Sequence, residues 1–482
     1  MRIILSFFSS LLLISTTISQ SAIQLRIVGG TLEDRGYVII PEPSGGAYAL
    51  GTTSSHGDGT VRGYVVYYDS DFQYSWSILT PYGPVVERLV DGVNHPDSPN
   101  DNILVLAQCL GDNGTYNAVV HNIDNTSEII STLELSHPEN QNPQALVNWR
   151  GSVYAIGDMH GDGWWVDIND SSSVDSETFT TWGHFLQTEA VTSAKVFNDT
   201  LYVAGSTEID GVLQTTIWAW GPDGNPIWAR ISPNEELEGN NYATDIAVTD
   251  NFVTLLYSFD RPGLPIGQGL VYLNPSNGTP GSILDTSGSF YADGRRLIFR
   301  DDKLFKLSHI NTYSGEGTDI GIVQLEEYGG FEESSVLGTS FNEIASDMEI
   351  DEEGRMWIIG TTYGYLNGTS SICVYRFDST QVIGNEVNLP TDLSITNDPM
   401  LYFSVGINEN PSSLVVYPNP ARRGSVVSLS AQAEWMLYSS VGTLIRSGFG
   451  DLITLDQISS GTYILRTSLN GITRNNSLQI VE

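Results

Sequence analysis

The chain has 482 residues, too many for one ordinary hydrophobic core and enough for two domains or one large repeat array. Hydrophobic residues make up 40% of it and 48 residues are glycine, which is typical of a folded, turn-rich protein. The net charge is −36 and nearly all of it lies before residue 411, so the body repels phosphate backbones and acidic membrane surfaces while attracting cations. We therefore expect no nucleic-acid partner.

Residues 1–19 have the features of a signal peptide. Arg2 supplies the positive charge, residues 3–14 are apolar apart from three serines, and Thr17 and Ser19 are small residues suited to a cleavage site. The apolar run is shorter than the roughly 20 residues of a transmembrane helix, and no later stretch is long enough. We expect export by the Sec route and a product without a transmembrane segment.

A short apolar run that ends at a small residue recurs about every 50 residues between residues 35 and 390. Its seven copies are AYALG (47–51), ILVLA (103–107), VYAIG (153–157), LYVAG (201–205), FVTLL (252–256), LFKLS (304–308) and MWIIG (356–360). Turn residues and strand-like segments around each copy indicate four antiparallel strands per repeat. The pattern predicts an all-β protein in which residues 20–390 form a β-propeller of seven four-stranded blades.

Closure of the ring requires a strand from outside the complete repeats. QLRIVGGTLED (24–34) resembles the fourth strand of a blade, although it precedes the first one. We expect residues 24–30 to pair with the last blade and so to protect an otherwise open edge. QVIGNEVNL (381–389) competes for that role.

Cys109 and Cys373 are the only cysteines of the chain. An exported protein permits a disulfide, so one bridge between them is an alternative. Because they fall in repeats two and seven, each in strand-like sequence, we favour buried and unpaired thiols.

The tetrapeptide His-Gly-Asp-Gly occurs at 56–59 and again at 160–163. His and Asp side chains ligate metals, and an acidic surface attracts them. Neither copy supplies a full ligand set, and each lies where a turn must join the second strand to the third. We assign no metal ligand and no cofactor, with calcium as the alternative to be tested at Asp58 and Asp162.

Asp245 and Asp347 occupy matching places, after Ala-Thr and Ala-Ser, at the predicted start of an inner strand. Inner strands line the channel of a propeller, so this pair could bind a cation or act as acid and base. The favoured interpretation is that each carboxylate caps local backbone amides. No catalytic residue is assigned, since the common catalytic motifs are absent from the sequence.

The ten tryptophans raise the possibility of a carbohydrate-binding surface. Trp76 and Trp228 recur at one place in the repeat, which predicts packing between blades. Trp149, Trp164 and Trp182 do not follow the repeat and could form an exposed platform, although aromatic side chains belong more often to the core.

Residues 391–413 have the composition of a linker, and residues 414–482 return to short apolar strands. About 70 residues with this pattern predict a small Ig-like β-sandwich. YPNPARRG (417–424), LYSSVGTLIRSG (437–448) and ISSGTYILRTSLNG (458–471) resemble, in order, the motifs of the type A C-terminal sorting domain. That domain marks cargo of the type IX secretion system of Bacteroidetes-like bacteria. The residues that carry the resemblance are Tyr417, Pro418, Asn419, Pro420, Gly424, Gly442, Gly461 and Tyr463.

The resemblance implies Sec export to the periplasm, then translocation by the type IX machinery and removal of the domain by its sorting peptidase. The body would be secreted or attached to surface lipopolysaccharide. Many members end in a basic residue, whereas this chain ends in Glu482. The residues favour a non-catalytic binding or surface-display module for an extracellular glycan or protein. The alternative is an extracellular hydrolase or lyase with its site at the propeller channel.

Overall fold

The protein is described by a computed structural model that divides it into two compact units, Met1–Val405 and Gly406–Glu482. The structure describes residues 23–56, 60–80, 87–99, 101–111, 114–135, 137–168, 178–183, 188–231, 239–263, 265–286, 291–311, 317–338, 342–363, 365, 370–381, 392–397, 416–417, 421–439, 444–456, 458–469 and 472–481. The predicted signal peptide lies outside these residues.

Seven sheets make up the described part of the first unit, and we number them blades 1 to 7 in chain order. Strand β1 (Gln24–Gly29) precedes them. Their strands are β2 (Asp34–Pro41), β3 (Ala47–Thr53), β4 (Arg62–Tyr68) and β5 (Tyr74–Leu79) in blade 1; β6 (Glu87–Asn94), β7 (Asn102–Leu110), β8 (Tyr116–Asp124) and β9 (Ile129–Leu135) in blade 2; β10 (Gln141–Trp149), β11 (Ser152–Met159), β12 (Asp162–Asp167) and β13 (Thr180–Trp182) in blade 3; β14 (Glu189–Phe197), β15 (Thr200–Ile209), β16 (Val212–Trp220) and β17 (Pro226–Ile231) in blade 4; β18 (Asn240–Val248), β19 (Val253–Asp260), β20 (Gly267–Leu273) and β21 (Pro280–Thr286) in blade 5; β22 (Ala292–Arg300), β23 (Lys303–Asn311), β24 (Thr318–Glu326) and β25 (Phe331–Leu337) in blade 6; and β26 (Glu343–Ile350), β27 (Arg355–Thr362) and β28 (Ser371–Asp378) in blade 7.

The predicted all-β fold with a β-propeller body is confirmed by this topology. Within each blade the consecutive strands pair in antiparallel fashion, and the recurring apolar run is always the second strand. One short 3-10 helix, Ser379–Gln381, is the single helical element in the described part of the chain. Seven hydrophobic clusters fill the seven interfaces between neighbouring blades, including the one that joins blade 7 to blade 1. The core is therefore a ring of interfaces rather than one centre.

The predicted ring closure is also confirmed. Strand β1 pairs in antiparallel fashion with β28, so that Gln24 lies opposite Arg376 and Val28 opposite Ile372. A further strand, β29 (Asp392–Asn397), pairs in parallel fashion with β1. The sequence predicts a linker over residues 391–413, but the polar and apolar residues of β29 alternate, which suits pairing with the free edge of β1. Residues 382–389 of the competing segment lie outside the described residues.

Tight turns with left-handed backbone join the first two strands of several blades. Asn198 and Asp199 have φ of 47° and 58°, and Asp301 and Asp302 have φ of 51° and 60°. Asn and Asp tolerate this conformation better than other residues with a side chain. The first pair joins β14 to β15 and the second joins β22 to β23, in agreement with the turns that the sequence predicts around each apolar run.

The second unit consists of strands β30 (Val416–Tyr417), β31 (Ala421–Arg422), β32 (Val426–Ser439), β33 (Leu444–Thr454), β34 (Gly461–Leu469) and β35 (Ile472–Val481). They form a sheet in the order β30-β32-β34-β35-β31, with β33 also paired to β32. A separate hydrophobic cluster that includes Val427, Leu437, Leu465 and Leu478 provides its core. The Ig-like arrangement of this unit stays a prediction.

Candidate functional site

A β-bulge interrupts the first strand of every blade at the same place. The register shifts by one residue at Tyr37, Val90, Gln144, Thr192, Thr244, Arg295 and Ser346. A bulge bends a strand and changes the direction of the side chains beside it. All seven bulged residues line one central cavity with a volume of about 660 Å³.

Charged side chains follow the bulges on several of these strands. The residues directly after the bulge are Val38, Asp91, Ala145, Ser193, Asp245, Arg296 and Asp347. Two positions further along, Lys195 on β14 and Glu349 on β26 also line the cavity. Because alternate residues of a strand share one face, Lys195 lies on the same face of β14 as Ser193, and Glu349 on the same face of β26 as Asp347.

Arg296 of blade 6 lies at the centre of this charged group. Its Nε is 2.9 Å from Oδ1 of Asp347 and 3.6 Å from Oδ2 of Asp245. Its guanidinium also donates to Oε1 of Glu349 over 2.6 Å, and Lys195 Nζ lies 3.8 Å from the same oxygen. The structure thus brings Asp245 and Asp347 together around one cation, as part of a larger group than the predicted pair.

The carboxylates also join neighbouring blades through backbone amides. The N–H of Ile39 in blade 1 donates to Oδ2 of Asp347 in blade 7 over 3.0 Å. In the same way the N–H of Leu297 in blade 6 donates to Asp245 of blade 5, over 2.7 Å. Both aspartates lie in the middle of their strands, so the favoured interpretation, that they cap local amides at a strand entry, is wrong about the partners. The amides belong to the next blade.

A third aspartate, Asp91, repeats this arrangement in blade 2. Its Oδ2 accepts the N–H of Leu146 in blade 3 over 2.7 Å. Burial raises the pKa of Asp91, although Arg296 acts in the opposite direction. Three blade interfaces, between blades 2 and 3, 5 and 6, and 7 and 1, therefore share one type of bond.

The environment separates the proton affinities of the two carboxylates on β26. Burial raises the pKa of Asp347 to about 7, against the opposing effect of Arg296, and the nearby Glu349 raises it further. Burial also acts to raise the pKa of Glu349, but Lys195 and Arg296 outweigh it and hold that pKa below its ordinary value. Burial disfavours the charge of Arg296, yet Asp347, Asp245 and Glu349 keep the pKa of Arg296 well above its ordinary value.

Other hydrogen-bonding side chains face the same cavity outside the ion-paired group around Arg296. Tyr37, Gln144 and Arg295 stand at bulges, and Arg88 precedes the bulge of blade 2. The guanidinium of Arg88 lies 4.9 Å from the centre of the Tyr37 ring. The guanidinium of Arg295 pairs with Asp293 Oδ2 over 2.6 Å. These groups could contact a molecule that enters the cavity.

The two cysteines are free and buried, as the favoured interpretation predicts. Burial raises the pKa of both thiols far above the ordinary value, with Glu87 acting in the same direction on Cys109 and Glu343 on Cys373. A thiol in such surroundings is a poor nucleophile. Neither cysteine belongs to a reactive site.

The second His-Gly-Asp-Gly segment forms the turn between β11 and β12. His160 and Gly161 have φ of 52° and 87°, and Asp162 begins β12. Of the first segment only His56 lies within the described residues, so Asp58 is outside them. No group of three or more metal-ligating side chains occurs among the residues that the structure describes.

Core packing, the favoured interpretation of the tryptophans that do not follow the repeat, is confirmed for two of the three, and the alternative of an exposed platform is wrong for these two. Trp149 and Trp164 are 1% and 0% exposed because they pack between blades, and Trp182 is half-buried against Trp220. Trp76 and Trp228 pack between blades as predicted. Their indole N–H groups donate to the carbonyls of Asn125 and Pro275, at 2.9 and 2.8 Å.

The predicted sorting residues are distributed over the second unit. Tyr417 ends β30, opposite Ser428 on β32, and Gly424 occupies the turn after β31 with φ of 78°. Gly461 begins β34. Tyr463 is partly buried against the core of the unit, and its hydroxyl donates to the carbonyl of Ser459 over 2.8 Å. Pro418, Asn419, Pro420 and Gly442 lie outside the described residues.

No protein-family model matches the chain, and no curated protein matches it. Among solved structures, the polysaccharide lyase Uly1 is similar with 10% identity and a TM-score of 0.46, over 71% of this chain and 90% of the lyase. Semaphorin 2a of Drosophila is 12% identical with a TM-score of 0.46, over 95% of this chain and 97% of the semaphorin. The β-propeller domain of the Trilobed protease from Pyrococcus furiosus is 11% identical with a TM-score of 0.42, over 73% of this chain and 99% of that domain. Similarities of this size do not indicate a function.

The described residues contain no helix with the length and hydropathy needed to cross a membrane.

Proposed function

We propose that this protein is an exported extracellular binding protein whose propeller holds a glycan in its central cavity. The observation that carries the proposal is that charged and hydrogen-bonding side chains from all seven blades converge on one cavity of about 660 Å³. That volume lies within the ~300–1,000 Å³ of small-molecule sites. Hydroxyl, amide and guanidinium groups match the hydroxyl groups of a sugar, and the ring of Tyr37 offers an apolar face.

Binding is favoured over catalysis because the carboxylates of the cavity already have partners. Arg296 pairs with Asp245, Asp347 and Glu349, and two of these three also accept an amide of the next blade. Groups held in this way stabilise the ring. A general acid or base must instead be free to reach a bound substrate.

The second candidate function is an extracellular hydrolase or lyase that uses the same cavity. The observation in its favour is that Asp347 has a raised pKa while Glu349, two residues away on β26, has a lowered one. Paired carboxylates with separated proton affinities divide the roles of acid and base in many hydrolases. In this reading Asp347 would donate the proton and Glu349 would act as the anion.

A glycan screen with the mature chain, residues 20–482, tests both candidates when turnover is measured in parallel. The double variant Arg88→Ala/Gln144→Ala removes two cavity groups, and Arg230→Ala removes an exposed arginine of β17 as the control. We expect a glycan that binds the native protein and the control at least about tenfold more tightly than the double variant, a difference of ~1.4 kcal/mol. Equal binding by all three proteins would exclude the cavity. Release of new reducing or unsaturated ends would favour the enzyme.

The proposed export route rests on the sequence motifs of the second unit. We propose that the type IX machinery translocates the protein and that its sorting peptidase removes the second unit, which leaves the body free or attached to lipopolysaccharide at the cell surface. A reporter placed between residues 1–19 and residues 406–482 should reach the medium or the surface of a bacterium that has this secretion system. In a strain without the system, and in a fusion with Gly461 and Tyr463 replaced by Asp, the reporter should stay in the periplasm. Equal export of all three would refute the route.

A further inference from the structure

A second cavity lies between blades 5 and 6, apart from the central one. Its volume is about 440 Å³, and none of its lining residues also lines the central cavity. Apolar side chains dominate the lining, among them Leu270 of β20, Val323 and Leu325 of β24, and Phe331 of β25. Phe331 is 66% exposed, so the lining reaches the protein surface. A small molecule with an apolar body would bury such walls.

One charged group, Lys306 of β23, stands in this apolar lining. It is 5% exposed and is the sole titratable side chain among the described residues that line the cavity. The register places Lys306 opposite Leu297 on β22 and Val323 on β24. Cross-strand partners share a face of the sheet, so Lys306 faces blade 5 together with these apolar side chains. Leu297 and Val323 belong to the hydrophobic cluster between the two blades.

The amine of Lys306 has no ion pair or hydrogen bond within the part of the chain that the structure describes. The other two lysines of the chain both have carboxylate partners, Lys195 with Glu349 and Lys303 with Glu332. Although the chain has 57 acidic residues, none of those that the structure describes pairs with this buried lysine. Burial alone lowers the pKa of Lys306 to about 8, so most of the amine is protonated at neutral pH.

An isolated buried ammonium costs several kcal/mol unless an anion compensates it. A lysine that merely filled space would extend its amine into water, as long cationic side chains usually do. Lys303 on the same strand does so, with 38% of its side chain exposed. The side chain of Lys306 is instead only 5% exposed. The arrangement of one cation in an apolar pocket is complementary to a molecule with one anion and an apolar body.

We propose that this pocket binds an apolar monocarboxylate of the fatty-acid type, with its carboxylate on Lys306. Its chain lies along Leu270, Val323 and Leu325 toward Phe331. Ser334, opposite Val323 on β25, supplies a hydroxyl beside the carboxylate end. The site is independent of the proposed glycan site and concerns a different class of ligand.

Calorimetric titration of the mature chain with decanoate at pH 7 tests the proposal, with decanol as a probe of the same length and no charge. We expect decanoate to bind the native protein and the control Lys303→Met equally. Lys306→Met should bind decanoate at least about tenfold more weakly, while its affinity for decanol is retained or increased. Because Lys306→Met removes an uncompensated buried charge, its melting temperature should not fall below that of the native protein, which excludes misfolding as the cause. Absence of decanoate binding to the native protein, or equal binding by Lys306→Met, would overturn the proposal.

Discussion

Replacement of Arg296 by Met is the most direct test of the charged group in the central cavity. The substitution retains most of the apolar volume of the side chain and removes its charge. It leaves the carboxylates of Asp245, Asp347 and Glu349 without the cation that lies 3.6, 2.9 and 2.6 Å from them. These carboxylates come from blades 5 and 7, so the change acts on two blade interfaces at once.

The expected loss follows from the burial of the partners. The side chains of Asp245 and Asp347 are 1% and 6% exposed, and that of Arg296 is 20% exposed. Removal of one partner from a buried ion pair usually costs about 3–5 kcal/mol, because an uncompensated charge stays behind. We therefore expect Arg296→Met to lower the free energy of unfolding of the propeller by about 3–5 kcal/mol at pH 8.

The loss should depend on pH in a defined direction. The folded-state pKa of Asp347, about 7, lies above its ordinary value of 3.8, so the folded protein binds this proton more tightly than the unfolded chain. The stability that the proton provides is present below about pH 4 and is lost as the pH rises through 7. Without Arg296 the folded-state pKa of Asp347 should rise further, so the decline of the unfolding free energy should extend to higher pH. At pH 5, where Asp347 is already protonated, the loss should be smaller than at pH 8 by about 1.4 kcal/mol or more.

Urea unfolding followed by tryptophan fluorescence at pH 5 and pH 8 measures both effects. Arg300→Met is the matched control, since Arg300 lies on the same strand, 40% exposed and 3.8 Å from an exposed Asp301. Exposed pairs contribute about 0–1 kcal/mol, so the control should change little at either pH. A loss for Arg296→Met within 1 kcal/mol of the control at pH 8, or an equal loss at both pH values, would refute the electrostatic reasoning.

Three further predictions concern closure, titration and thiols. Ile27→Ala in β1 should destabilise the propeller by about 2–5 kcal/mol in urea unfolding, because Ile27 is fully buried. The control Leu32→Ala, at a half-exposed position, should be near neutral. Similar effects of the two substitutions would argue against closure by β1. Burial raises the pKa of Asp158 from 3.8 to about 6, so the free energy of unfolding should decline between about pH 4 and 6. Asp158→Asn should flatten that decline. An unchanged slope of stability against pH would contradict the raised pKa of Asp158. Cys109 and Cys373 should resist a thiol reagent at pH 8 in the native protein and both react in urea, and one disulfide found by mass spectrometry would disprove this.

The propeller could be predicted from the sequence because each blade is built from hairpins of neighbouring strands. Turn residues such as Asn198-Asp199 and apolar runs such as AYALG are local signals, and their period of about 50 residues reveals the repeat. Even closure by residues 24–30 followed from the likeness of that segment to a fourth strand. The strand at 392–397 does not stand out in the sequence because Pro390 before it, and Asp398 and Pro399 after it, give its surroundings the composition of a linker.

The charged group of the cavity is much harder to predict from the sequence, because it depends on the register between strands. The residues after the seven bulges share no common type, so no motif marks their column in the sequence. Ala-Thr-Asp and Ala-Ser-Asp were the visible signal, and they indicated Asp245 and Asp347 but neither Arg296 nor Asp91. Lys306 carried a signal of its own, because LFKLS is the one run of the seven that places a charge inside a buried strand.

Closure by β1 has a consequence for how the protein folds. Arg376 Nε donates to the side chain of Gln24, 352 residues away in the chain. Because synthesis begins at the N-terminus, β1 is made first, yet its partner β28 is completed only after the other six blades. Contacts over such sequence distances form late, and until then the edge of β28 is open to any matching strand. A second newly made copy carries that strand, so crowded folding should produce propellers that have exchanged β1.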